Sequence, residues 1–153
     1  MGIVEKIREL GYELPEVSKP IGAYIPALRL GNLVMTSGML PIKDGKLAYT
    51  NEIGGVFHNV EDGYQAAKLC VLNGLAAINQ LVPLDNIERI IKVTGYVNSA
   101  KSFTDQPKVI NGASDFLVEI FGESGRHVRA AVGVNELPLG ASVEIEFIVQ
   151  VKD

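Results

Sequence analysis

From Val143 to Val151 the chain alternates without a break, with Val143, Ile145, Phe147, Val149 and Val151 on one side and Glu144, Glu146, Ile148 and Gln150 on the other. Successive side chains of a strand point to opposite faces, so this segment reads as a β-strand with one buried face. A slip of one residue would bury both carboxylates, which makes the register strongly specified. A second alternation precedes it: Val128, Ala130 and Val132 are spaced by two, and His127 and Arg129 point the other way. Together the two strands predict a guanidinium fixed beside two acids, a pairing able to hold and hydrolyse a small molecule that bears a carboxylate.

Two helical stretches interrupt the strands. Over residues 59–81 the apolar side chains Ala66, Leu69, Leu72, Ala76 and Leu81 gather near one face, and Pro83 closes the segment. A second helix, beginning at Phe103 or Asp105 and ending at Phe121, carries the stripe Val109, Ala113, Phe116, Leu117, Ile120 and Phe121, with Gly122 as its stop. Strands are expected over residues 23–30 and 33–37, joined at Gly31-Asn32, where both residues tolerate the positive φ of a two-residue hairpin turn. Asp44-Gly45 marks a further turn before a short strand at 46–49. Residues 89–98 form another strand, with Ile91, Val93, Gly95 and Val97 facing one way.

A short amphipathic helix over residues 3–10, stopped by Gly11, opens the chain. Residues 1–18 are expected to form an N-terminal helical extension ahead of a domain spanning 19–153. The order β-β-β-α-β-α-β-β predicts an α+β fold, a single domain whose mixed β-sheet carries both helices on one face. With 153 residues, of which 47% are hydrophobic, one core is sufficient. The sheet's other face mixes Lys92, Thr94, Tyr96, Glu144, Glu146 and Ile148, and such a half-apolar face calls for a covering partner.

Composition removes several classes of function. Net charge is −4 and the basic residues are scattered singly, which argues against a nucleic-acid partner. No apolar run reaches the length of a membrane span, and charges at Glu5 and Lys6 precede any signal-peptide core, so a cytoplasmic location is expected. The one cysteine, Cys70, sits in a helical apolar setting and reads as a core residue. Only His58 and His127 are present, and no G-x-G-x-x-G, Walker, H-E-x-x-H or C-x-x-C motif occurs, so neither a metal nor an organic cofactor is expected. Thr36-Ser37-Gly38 lacks the context of a nucleophile and reads as a strand end.

Three stretches nevertheless carry a recognisable pattern: Ile21-Gly22-Ala23-Tyr24 followed by residues 30–38, Asn111 ahead of the end of the second long helix, and the run from Arg126 to Glu146. In order and spacing these resemble the RidA/YjgF family of small trimeric proteins, known as reactive intermediate deaminases and also, from an older label, as endoribonucleases. The resemblance spans about residues 20 to 152. It implies a homotrimer with ligand clefts between subunits, in which Arg129 forks onto a substrate carboxylate and Glu144 orients a water near the imine carbon. Tyr24 would line the cleft from the adjacent subunit, with Ser37 and Asn111 near it. The chain departs from the pattern at Ala131, where many active relatives carry cysteine, and at His127-Val128, which replace Pro-Ala.

The activity so implied is hydrolysis of small 2-imino or enamine acids, of the 2-aminoacrylate type, to 2-oxo acids and ammonia. Catalysis would rest on Arg129 and Glu144, with Tyr24, Ser37, Asn111 and Arg129 binding substrate. A noncatalytic homotrimer that binds small carboxylate metabolites is the alternative, and an endoribonuclease comes third. Read from spacing alone, Arg129 better suits a surface or interface ion pair, with Glu144 or Glu146 as its partner, and it is the resemblance that favours the carboxylate clamp.

Overall fold

The computed structural model describes residues 1–153 as a single-domain α+β fold. In chain order its elements are α1 (Ile3–Glu9), β1 (Ala27–Leu30), β2 (Leu33–Thr36), β3 (Ile42–Lys43), β4 (Lys46–Leu47), α2 (Val60–Asn79), β5 (Ile87–Asn98), α3 (Gln106–Phe121), β6 (Val128–Val134) and β7 (Val143–Val151). The main sheet runs β1-β2-β7-β5-β6, and β3 and β4 pair apart from it as a small hairpin. Only β5 and β6 are parallel, as a crossover through α3 requires, and the other neighbours run antiparallel.

Local chemistry accounts for where the elements start and stop. The β1–β2 hairpin closes with Leu30 opposite Leu33, and Gly31 takes the positive φ of 60° that the turn demands. Strand β1 begins at Ala27 rather than at residue 23, because Pro26 has no N–H to offer a ladder and only its carbonyl is used, by Ser37 N at 2.8 Å. Asn59 caps α2 through a reciprocal box: its side chain accepts from Asp62 N at 2.9 Å, and Asp62 Oδ2 accepts from Asn59 N at 3.2 Å. The helix stops at Asn79, so Leu81 falls in the following turn, 47% exposed, instead of extending the buried stripe. Gly122 ends α3 with φ 65°.

Both long helices cover one face of the sheet. Phe116 of α3 and Phe147 of β7 lie fully buried between the layers with Val93, Val97, Ile145 and Val149. Gly74 of α2 lets the helix approach the sheet, since a Cβ there would collide with the Phe147 ring. Ile7 of α1 is completely buried in the same core, and Tyr12 meets Phe116 edge-on at 4.9 Å. Cys70 is buried too, its Sγ 3.7 Å from Val143 O. No helix is long and apolar enough to cross a membrane.

Strand β5 departs from the expected alternation. Its register with β7 passes from Ile90 opposite Val149 to Lys92 opposite Ile148, leaving Ile91 as an inserted residue. The bulge reverses the phase, so Ile90 is fully buried and Ile91 only half so, the opposite of the sequence expectation.

Candidate functional site

The face of the sheet away from the helices carries Lys92, Thr94 and Tyr96 of β5 beside Glu144, Glu146 and Ile148 of β7. Tyr96 Oη donates to Glu146 Oε1 at 2.7 Å, and this bond, with burial, pushes the phenol pKa up to about 12. Glu144 is half-buried. Loss of water raises its pKa above the ordinary carboxylate value, and the neighbouring charge of Glu146 adds to the shift. Gly38, exposed just past β2, leaves room for the Glu144 carboxylate, since a Cβ there would take the place of that flexible group and displace it.

Glu144 faces a cavity of about 300 Å³ whose wall also includes Tyr24, Ser37, Gly38, Met39 and Leu139. The cavity is shaped by three local fixings. Ser37 Oγ donates to Ile25 O at 2.6 Å, tying the strand end to the segment that carries Tyr24. The Asn73 amide, reaching out of α2, donates to Leu40 O at 3.1 Å and Ile42 O at 3.0 Å. Leu139 is held at φ 59°, a left-handed backbone unusual for a branched side chain, between Pro138 and Gly140.

Arg129 lies elsewhere. On β6 it is opposite Val93, which is itself opposite the buried Phe147, so Arg129 points to the helix side of the sheet. There Nη1 donates to Ser114 Oγ at 3.0 Å and Nη2 to Pro107 O at 3.2 Å, both on α3. Asn111 stands between those two residues on the same helical face. His127 lies on the same side, with Nε2 2.9 Å from Ser114 Oγ and Nδ1 2.6 Å from Gly125 O. Burial lowers the His127 pKa, the Gly125 bond opposes that shift, and the Arg129 charge adds to it. The ion pair of Arg129 with Glu144 or Glu146 does not form, because these acids stand on the opposite face.

The expected site residues thus fall into two groups. Tyr24, Ser37 and Glu144 converge on one cavity, and Arg129 and Asn111 share the β6–α3 edge. The sheet separates them, so the guanidinium is not fixed beside the acids within one protomer. Gly38 was read only as part of a strand end, and sequence reasoning passed over Ser114, Asn73 and Leu139. Of these only Ser114 left a usable signal: it follows Asn111 by three, the spacing that places two residues on one helical face.

A model of the YjgF/chorismate mutase-like, putative endoribonuclease family matches residues 5–150. Protein TCP17 of Trypanosoma cruzi is 37% identical over 153 residues, which cover 99% of this chain and 95% of that protein. A protein of Dermatophagoides farinae named 2-iminobutanoate/2-iminopropanoate deaminase is 30% identical over 140 residues, covering 90% of this chain and 93% of its own. Among solved structures, a putative endoribonuclease from Shewanella oneidensis superposes with a TM-score of 0.94 at 35% identity, covering 99% of this chain and 100% of that one. Matched in sequence and in fold along nearly its whole length, the chain belongs to the RidA/YjgF family.

Proposed function

We propose that this chain hydrolyses small 2-imino acids, with their enamine tautomers such as 2-aminoacrylate, to 2-oxo acids and ammonia, in clefts between the subunits of a homotrimer. The observation that carries the reading is the half-buried Glu144 carboxylate, with its raised proton affinity, facing a cavity that also holds Tyr24 and Ser37. A base for water attack works best when its pKa lies nearer the working pH than an exposed carboxylate's does, and burial moves Glu144 in that direction. The name of the Dermatophagoides relative supports the substrate class.

In this scheme Arg129 of one protomer forks onto the substrate carboxylate, with Asn111 beside it, and presents the planar imine to Glu144, Tyr24 and Ser37 of the next. Glu144 takes a proton from water as the oxygen adds to the imine carbon. It passes that proton to the nitrogen to complete the carbinolamine, then takes the hydroxyl proton as the C=O bond forms and delivers it to the nitrogen as the C–N bond breaks, so one water is consumed and one ammonia leaves. No metal or organic cofactor is needed by these steps. The exposed apolar side chains of edge strand β6, Val128 at 67% and Val132 at 41%, support an interface there. RNA cleavage is not proposed, because a net charge of −4 with scattered cations offers no track for a phosphate backbone.

The test generates 2-aminoacrylate from serine with a pyridoxal-phosphate dehydratase and follows pyruvate release. Wild-type protein is expected to accelerate release, and Arg129→Ala to abolish the acceleration. Equal rates with and without wild-type protein would remove this activity and leave the noncatalytic binding of small carboxylates, read as thermal stabilisation by pyruvate.

A further inference from the structure

The hydrogen bonds behind Arg129 can run in one direction only. Gly125 O can only accept, so His127 Nδ1, 2.6 Å away, carries the proton and donates to it. A neutral imidazole then has only a lone pair at Nε2, and the Ser114 hydroxyl, 2.9 Å away, must donate into it. With its proton so committed, Ser114 Oγ turns a lone pair toward Arg129 Nη1 at 3.0 Å, and Pro107 O accepts from Nη2 at 3.2 Å. We propose that His127 and Ser114 are positioning residues, which through this chain fix the plane of the Arg129 guanidinium so that its remaining N–H donors face a ligand carboxylate. The inference rests on the proposed role of Arg129 and extends it to two residues that touch no substrate.

The direction of the chain is what matters chemically. A serine left without a fixed acceptor is free to rotate, and its proton can then point at the guanidinium and repel it. His127 prevents that in its neutral Nδ1–H form, which presents a lone pair at Nε2. Ser114 and His127 do stand at the distance of a nucleophile and its base. Neither lines the cavity that Glu144 faces, however, and Arg129 takes up the serine oxygen that would attack. A carboxylate clamp holds ground state and transition state alike, so its disorder is read in KM rather than in kcat.

The experiment measures steady-state imine hydrolysis, with the melting temperature of each variant, for Ser114→Ala, His127→Ala, their double variant, His127→Gln and Arg129→Ala. Ser114→Ala and His127→Ala are each expected to raise KM about tenfold, with kcat within about twofold of wild type. The double variant should be no worse than either single one, because both break the same chain. His127→Gln, whose amide oxygen can accept in place of Nε2, should bring KM back to within about threefold of wild type, an outcome that lost packing alone would not give. Ser114→Ala removes one oxygen only and carries the test even if His127→Ala does not fold. Unchanged KM in Ser114→Ala alongside inactive Arg129→Ala overturns the positioning inference and leaves the clamp in place. Full activity in Arg129→Ala overturns the clamp itself.

Discussion

Glu144, the base of the proposed reaction, is held half-buried at a cost to the fold at neutral pH. Because burial and Glu146 raise its pKa in the folded chain, the folded protein binds that proton more tightly than the unfolded chain does. Its contribution to stability is therefore complete below the ordinary carboxylate range and is lost as pH rises through the raised folded value. Glu144→Gln is neutral at every pH, so its melting temperature should exceed that of wild type at pH 7–8, with the gain vanishing in acid, as a pair of thermal melts would establish. The same change removes the proposed base, and under that proposal turnover should fall about 100-fold or more. Gly38→Ala attacks this carboxylate from the other side: its methyl group claims the space of the Glu144 oxygens. Because the displaced group is the free end of a flexible side chain beside an exposed glycine, the expected stability cost is about 0.5 kcal/mol or less, together with loss of turnover, measured by urea denaturation and the pyruvate assay. At this scale the sequence disclosed which residues carry charge near the site but not on which side of the sheet each would stand. Alternation fixes parity within a strand, and the phase between strands depends on pairing. Arg129 takes its side from Val93, and Glu144 takes the other from Tyr96.

Among the elements, those with strong periodicity and a chemical stop were legible almost to the residue. The start of α2 is the clearest instance: the helical period sets in at Asn59 and the helix begins at Val60, where the structure adds a reciprocal Asn59–Asp62 capping box that the sequence reading did not name. Asn59→Ala should cost about 1 kcal/mol and lower the melting temperature by about 2–4 °C, with activity per folded molecule retained, since Asn59 does not line the cavity that Glu144 faces. The bulge at Ile91 was not legible. The run Ile90-Ile91 offers two apolar residues in succession, and either could have begun the buried set. The choice was made by β7, whose fault-free alternation fixes Val149 and Phe147 inward and leaves β5 to absorb the extra residue. The segment that carries Tyr24 also escaped pattern reading, because residues 21–26 are placed by Ser37 and the Pro26 carbonyl rather than by any repeat.

For the whole molecule, Arg129 and Glu144 stand on opposite faces of the sheet, so the proposed reaction needs them brought together from two chains. If Arg129 serves a cleft whose Glu144 belongs to a neighbour, Arg129→Ala and Glu144→Gln are inactive alone but complementary. Each retains the half that the other lacks. When equal amounts are unfolded together and refolded, subunits assort at random. A cleft then works only where an intact Arg129 meets an intact Glu144, which occurs in about one cleft in four. Turnover near a quarter of wild type would require the two halves to come from different chains. A site assembled within one chain would stay dead in every mixture, because no protomer then carries both groups. The same geometry predicts that Val132→Asp, a charge set on the exposed apolar edge of β6, lowers the sedimentation mass to that of a monomer and removes turnover, with the helix-covered core on the other face left intact. A variant that remained trimeric and active would place the subunit contact, and with it the cleft, on some other part of the surface.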